Sequence, residues 1–325
     1  MNATGVTQRR MGFKSIHNLH GDEFHLAWDN AIAPALEIES SEVVELHARD
    51  ASNGQIHEHS TAEDLASIDF ARINPVSGPV FVRGARPGDT LAVELLELRP
   101  SKWGWTAITP GFGLLGDEFT ERWLRISTID PKLQAVHFSE HVSLPLRPFP
   151  GTLGLAPAAP GPHPILPPTR VGGNVDIKHL TAGSTLYLPV AVEGALFSLG
   201  DTHAAQGDGE VCGTAIESAM DVVVRLSVRH GLTIDAPQYD IPSHPAPDRN
   251  NYHVCTGVGP DLLEAARQAT RAMIRYLGEH HGMEAQEAYA LTSVACDLRI
   301  HEIVDQPNWV VGLMLPDTIF TEAGR

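Results

Sequence analysis

The sequence predicts a β-rich α+β protein, and three observations carry that expectation. Its 325 residues include 29 glycines and 24 prolines, enough turns to imply many short strands. Apolar and polar residues alternate in several segments before residue 235, the period of half-buried strands. Helical spacing of apolar residues appears only after residue 260.

Taken in order, Leu36, Ile38, Val43 and Leu46 mark two half-buried strands around a Ser40-Ser41 turn, and Ser52, Asn53 and Gly54 close that hairpin region. Thr61 with Asp64 three residues later reads as a capped helical turn, and His57 and His59 read as solvent-facing. Arg86-Pro87-Gly88-Asp89 is a turn with a mechanism: proline fixes φ, glycine accepts positive φ, and the aspartate bonds nearby amides. Strands are expected on either side, at 80–82 and 91–98. Residues 145–168 are so rich in proline that they read as an extended crossover rather than a central strand, and as the best boundary. Asp176 and Lys178 alternate, so on a strand they share one face. Another strand is expected at 221–232. A helix follows over 261–281, with Asp261 at its N-terminus, and a second over 284–298. Two short strands around Asp305-Gln306-Pro307 close the chain. The expected parts are 1–145, β-rich; 146–235, β with the functional loop; and 236–325, α/β, with interdigitating segments.

The formal net charge of -17 argues against nucleic acid and against an anionic membrane surface. Cys212, Cys255 and Cys296 are odd in number and far apart, which suits a reducing cytoplasm rather than a disulfide framework. Cys255 and Cys296 read as small buried hydrophobes. The N-terminal residues lack the apolar run of a signal peptide, and no stretch reaches the roughly 18 apolar residues of a membrane span.

The chemistry concentrates between residues 194 and 218, GALFSLGDTHAAQGDGEVCGTAIES. An apolar run stops at Gly200, and Asp201, His203, Gln206, Asp208, Glu210 and Cys212 follow within twelve positions. Asp201 and His203 at a strand end offer an oxygen and a nitrogen donor, which suits zinc, and Asp176 can supply a third ligand. Glu210 is placed to act as general base toward a metal-activated water. Lys178 and Gln206 can hydrogen-bond a carbonyl oxygen as negative charge develops. The competing reading is covalent, with Cys212, Lys178 and Glu210 as a Cys-Lys-Glu set, but an acidic loop does not depress a thiol pKa. A non-catalytic small-amide binding module is the third reading. Near the N-terminus, His25, Trp28 and Asp29 form a further cluster that suits either a ligand role or a plain polar strand.

NPVSGPVFVRGARPGDTLAVELLE, WGWT, PFPGTLGLAP, GGNVDIKHL, GDTHAAQGDGEVCGTAIE, EAYALTSVACDLRIHEIVD and LPDTIF occur in that order. In these blocks, from about His25 onward, the sequence resembles the acetamidase/formamidase family. The resemblance implies hydrolysis of short linear amides such as formamide and acetamide to ammonia and a carboxylate. It also implies sandwich-like and barrel-like β parts with a smaller C-terminal α/β part, a homo-oligomer, and bound divalent metal. Zinc is the expected cation, with calcium considered at a second site. The acidic, His and Gly positions of GGNVDIKHL and GDTHAAQGDGE are all present.

Overall fold

The computed structural model describes residues 16–241, 252–302 and 309–321. Its body is a sandwich of two six-stranded sheets. The first runs Ile16–Leu19, Glu42–Ala48, Met220–Arg229, Thr90–Pro100, Thr185–Pro189, Gln238–Asp240. The second runs Gly172–Asn174, Phe149–Gly154, Phe197–His203, Val76–Val82, Phe24–His25, with Leu36–Ile38 parallel to Val76–Val82. The alternation of β-branched and polar residues turns one face of each sheet inward. Val44, Leu46, Val93, Leu95, Val222 and Val224 of the first thus meet Val80, Val82, Leu153, Phe197 and Leu199 of the second in one apolar core. A four-stranded sheet (Ser143–Pro145, Ala135–His137, Trp123–Asp130, Trp103–Ile108) and a three-stranded sheet (Tyr252–Gly259, Trp309–Pro316, Asp297–Glu302) complete the β structure. Among the described residues no sheet closes into a barrel, so the expected barrel-like part is an open sheet.

Two local expectations are corrected and one is met. Leu36–Ile38 and Glu42–Ala48 are strands, but they lie in different sheets rather than in one hairpin. The Arg86–Asp89 turn forms as expected, with Asp89 N–H donating to Arg86 O at 3.0 Å and the Arg86 N–H donating to Asp89 Oδ2 at 3.1 Å. It too joins strands of opposite layers. The proline-rich segment contains a central strand after all: Phe149–Gly154 is wholly buried between Gly172–Asn174 and Phe197–His203. Pro150 is tolerated because Gly172–Asn174 pairs only with residues 152–154, so the proline stands beyond its end and owes that neighbour no donor. Strands from both sides of residue 145 share both large sheets.

The helices lie where their periodicity puts them, at Leu262–His281 and Ala285–Ala295. Asp261 caps the first, its side chain accepting the Glu264 N–H at 2.8 Å, and Gly282 at φ 66° ends it. Ala265, Ala266, Ala269, Met273 and Leu277 are buried, whereas Leu263 falls off that stripe and is 56% exposed. Ala269, Met273 and Leu277 join Tyr289, Leu291 and Val294 of the second helix in a second core, which also takes in Ala204, Ala205, Cys212 and Ile216 of the chemistry-bearing segment, while Ala265 and Ala266 pack with Val311. Cys212 and Cys296 are buried, Cys255 is half-buried, and all three are free thiols. No described helix is long and apolar enough to cross a membrane. The expected turn at Asp305-Gln306-Pro307 lies outside the described residues.

Replacing Asp261 with Ala removes one cap and is expected to lower stability by about 1 kcal/mol, read as a lower urea midpoint at unchanged slope.

Candidate active site

The site forms where a β-ladder is interrupted. Phe197–His203 is buried along its whole length and pairs with Phe149–Gly154 through Phe149↔His203, Pro150↔Thr202 and Thr152↔Gly200. The pair between Gly151 and Asp201 is missing, and Asp201 has a left-handed backbone at φ 48°. The Gly151 carbonyl instead accepts the N–H groups of Val175 (3.0 Å) and Asp176 (3.1 Å). That bond draws Asp176, itself at φ 47°, over the strand end. A Cβ on Gly151 would lie 2.5 Å from Asp176 Oδ1 and 2.7 Å from His203 Cε1, so only glycine leaves room for both side chains. Glu210, the third carboxylate, also has a left-handed backbone, φ 42°. Three non-glycine residues in that region at one locus are the kind of local strain that marks functional sites.

Donor atoms of Asp176, His203 and Glu210 all lie within 4.8 Å of one another, and so do those of Asp201, His203 and Glu217. His203 Nε2 is 3.2 Å from Glu217 Oε2 and 3.5 Å from Asp201 Oδ1. Asp176 Oδ1, His203 Nε2 and Glu217 Oε2 are nonetheless buried without an aligned hydrogen-bond partner. Such atoms carry a desolvation cost that something must offset. The other imidazole nitrogen is occupied: Nδ1 donates to Gln206 Oε1 at 2.8 Å, while Gln206 Nε2 donates to the Asp176 carbonyl at 3.0 Å. The Asp176 carbonyl can only accept, which fixes the Gln206 amide, makes Nδ1 the donor, and leaves Nε2 as the position that can exchange a proton for a cation.

Electrostatics agree with the geometry. Burial, and then the Asp201 charge, raise the Asp176 carboxyl from 3.8 to about 7. Burial followed by Asp176 holds Glu210 well above the ordinary carboxylate range, and burial raises Glu217 as well. Burial alone would lower His203, but the charges of Glu217 and Asp201 outweigh it and its pKa is well raised. Four carboxylates around one imidazole, Asp201 and Glu217 buried and Asp176 and Glu210 half-buried, cannot all ionise without added positive charge. Oxygen donors with one oriented imidazole fit a divalent cation.

Of the residues singled out in the sequence, Asp176, Asp201, His203 and Glu210 come together. Gln206 is adjacent and orients His203: its Oε1 accepts from Nδ1 and one of its two amide N–H groups donates to the Asp176 carbonyl. Lys178 does not join the cluster. Residues 175–180 are not a strand, so its alternation with Asp176 does not put the two on one face. Its ammonium pairs with Asp297 and lies 3.5 Å from Asp208. Cys212 is fully buried, its thiol raised in pKa by that burial, with Sγ 3.7 Å from Ala107 O and Thr214 O. His25 bonds Ser198 Oγ (2.8 Å) and Ala27 O (2.7 Å) and meets the edge of Trp28, while Asp29 accepts the Ala31 N–H. These residues brace the sandwich edge. Glu217 is the residue that sequence reasoning missed. Its signal was a single carboxylate within the otherwise uncharged run Thr214–Met220, and it reaches His203 through an isolated bridge to that strand.

A family model described as Acetamidase/Formamidase family matches residues 14–165 and 158–322. The chain belongs to this family. It is an amidase. It is 27% identical over 369 residues to the formamidase of Methylophilus methylotrophus, with 92% of this chain and 89% of the relative covered. Among solved structures it resembles a gamma lactamase from Delftia acidovorans at TM-score 0.84 and 28% identity, covering 94% and 92% of the two chains. An acetamidase from Bacillus halodurans matches at TM-score 0.66 and 32% identity, covering 92% and 97%.

Two outcomes follow from the buried acids. Gly151→Ala is expected to leave the fold intact but to weaken divalent-cation binding at least roughly tenfold, measured by equilibrium dialysis. Because Asp176 binds its proton more tightly folded than unfolded, cation-free protein should be most stable below pH 3.8 as far as this group is concerned. That contribution should be lost as pH rises through about 7. Thermal melts across that window in the presence of chelator, and again with a divalent cation, check it: the cation should remove the decline.

Proposed function

We propose that this amidase hydrolyses short linear amides of the formamide and acetamide type, with a divalent cation, zinc first, held by Asp176, Asp201 and His203 and supported by Glu217. The observation that carries the reading is the set of unpartnered buried atoms, Asp176 Oδ1, His203 Nε2 and Glu217 Oε2, which belong to two acid groups that share His203. The names of the relatives support the substrate class. When bound, such a cation supplies Lewis acidity and lowers the pKa of water toward 7.

The chain's own groups do the rest. Gln206 holds the His203 ring so that Nε2 faces the carboxylates. Beside a divalent charge the Glu210 carboxyl ionises, takes a proton from the attacking water and delivers it to the departing nitrogen. An amide and water thereby become a carboxylate and ammonium. The likeness to a gamma lactamase adds a small cyclic amide to the compounds worth offering, since the same C–N bond is cleaved. The covalent alternative is disfavoured by Cys212, a buried thiol of raised pKa, and by Lys178, whose charge is already paired. A cytoplasmic homo-oligomer belongs to the same proposal and rests on the family resemblance and the cysteine pattern.

Ammonia release from formamide, acetamide and a γ-lactam is the test. Activity should vanish on complete chelation and return with zinc; full activity in metal-free protein would sink the cation reading. Glu210→Gln should lower kcat by about 10²–10⁴-fold while the cation stays bound. Loss of the cation together with activity would make Glu210 a ligand rather than the base. Cys212→Ala should remain active.

A further inference from the structure

Asp176 and Glu210 share a difficulty. Both have left-handed backbones and neither lies on a strand, so no β-ladder sets the distance between them. Two cross-links join their segments. One is the Gln206 amide on the Asp176 carbonyl. The other passes through a residue far along the chain. Asp297, at the start of the strand Asp297–Glu302, has a buried carboxylate. Its Oδ1 pairs with the Lys178 ammonium, two residues after Asp176, and also accepts the Asp208 N–H at 3.2 Å, two residues before Glu210. Lys178 lies 3.5 Å from the Asp208 carboxylate and closes the loop.

The surrounding backbone reinforces this junction. Leu298 N–H donates to Asp208 O at 2.8 Å, and Gly207 N–H donates to Ser293 O at 2.8 Å. A Cβ on Gly207 would fall 1.7 Å from Cys296 O, so the loop is pressed against the segment that carries Asp297. Farther round, Tyr289 Oη donates to Val211 O at 2.5 Å and Ser293 Oγ to Thr214 O at 2.7 Å. On the solvent side Arg299 bonds Asp297 Oδ2 at 2.7 Å, leaving Oδ1 to the two inner partners.

We infer that Asp297 is a positioning residue, which sets the separation of Asp176 and Glu210 by gripping Lys178 and the Asp208 amide at once. A buried ion pair is poorly explained by stability alone, since apolar residues of similar volume often serve as well. Here one carboxylate ties two otherwise unladdered segments together. The inference takes from the proposed function only that Asp176 and Glu210 belong to the site.

The test compares Asp297→Asn, Arg299→Gln and the parent protein by residue-resolved hydrogen exchange, which needs neither substrate nor metal. Asp297→Asn should speed exchange at the Asp208 and Glu210 amides at least tenfold, with the central strand Met220–Arg229 unchanged; Arg299→Gln should leave both unchanged. Should Asp297→Asn fold poorly, Lys178→Met with Asp297→Asn removes both charges together and should show the same local loosening. In the amide assay Asp297→Asn should lower kcat roughly 10- to 100-fold with KM within about threefold of the parent. Unchanged exchange in the loop, the same loosening with Arg299→Gln, or loosening spread over the sandwich strands would overturn the inference. Absence of amide hydrolysis by the parent protein would overturn the proposed function instead, and the exchange comparison would still decide the role of Asp297.

Discussion

The constraint on which the rest depends is the crowding of four carboxylates, two buried and two half-buried, around a single buried imidazole. Water solvates a carboxylate far better than a protein interior does, so the cluster exists only because the surrounding structure forces it. Each forcing device is visible. A missing ladder pair at Gly151 admits Asp176. Left-handed backbones aim Asp176, Asp201 and Glu210. An isolated bridge delivers Glu217 to His203, and a glutamine amide fixes the ring. A sandwich core supplies the rigidity against which those strained residues are held, as an engineered site would need from its supporting shell.

Much of this was legible in the sequence, for reasons that differ from element to element. The helix at Leu262–His281 was readable because periodicity and a capping aspartate agree. The density of acid and imidazole groups after Gly200 pointed to Asp201, His203 and Glu210 because an abrupt end to an apolar run is a local signal. Strand identity was readable at Leu36–Ile38 and Glu42–Ala48, but strand pairing was not. A turn of two serines looks the same whether the chain folds back on itself or crosses to another layer. Pro150 misled because the cost of a missing N–H depends on whether a neighbour strand needs it, and that is a tertiary fact.

The placement of Lys178 away from the cluster has a plain cause. Alternation was taken to mean a shared face, which holds only where the backbone is extended. At Asp176 the backbone turns left-handed, and Lys178 goes to Asp297 instead of to the cluster. Glu217 escaped notice because its role depends on being opposite His203, a relation fixed by the returning chain rather than by spacing.

The bonds between the loop and the segment Ser293–Leu298 also bear on how the molecule comes into being. Every acid and imidazole of the cluster has been synthesised by residue 217, yet the backbone partners of Gly207 and Asp208 lie some eighty residues later. A growing chain therefore carries its full set of charged side chains for a long interval before it can hold them in place. During synthesis the sandwich can form early, but the chemistry has no address until the ribosome has passed residue 298.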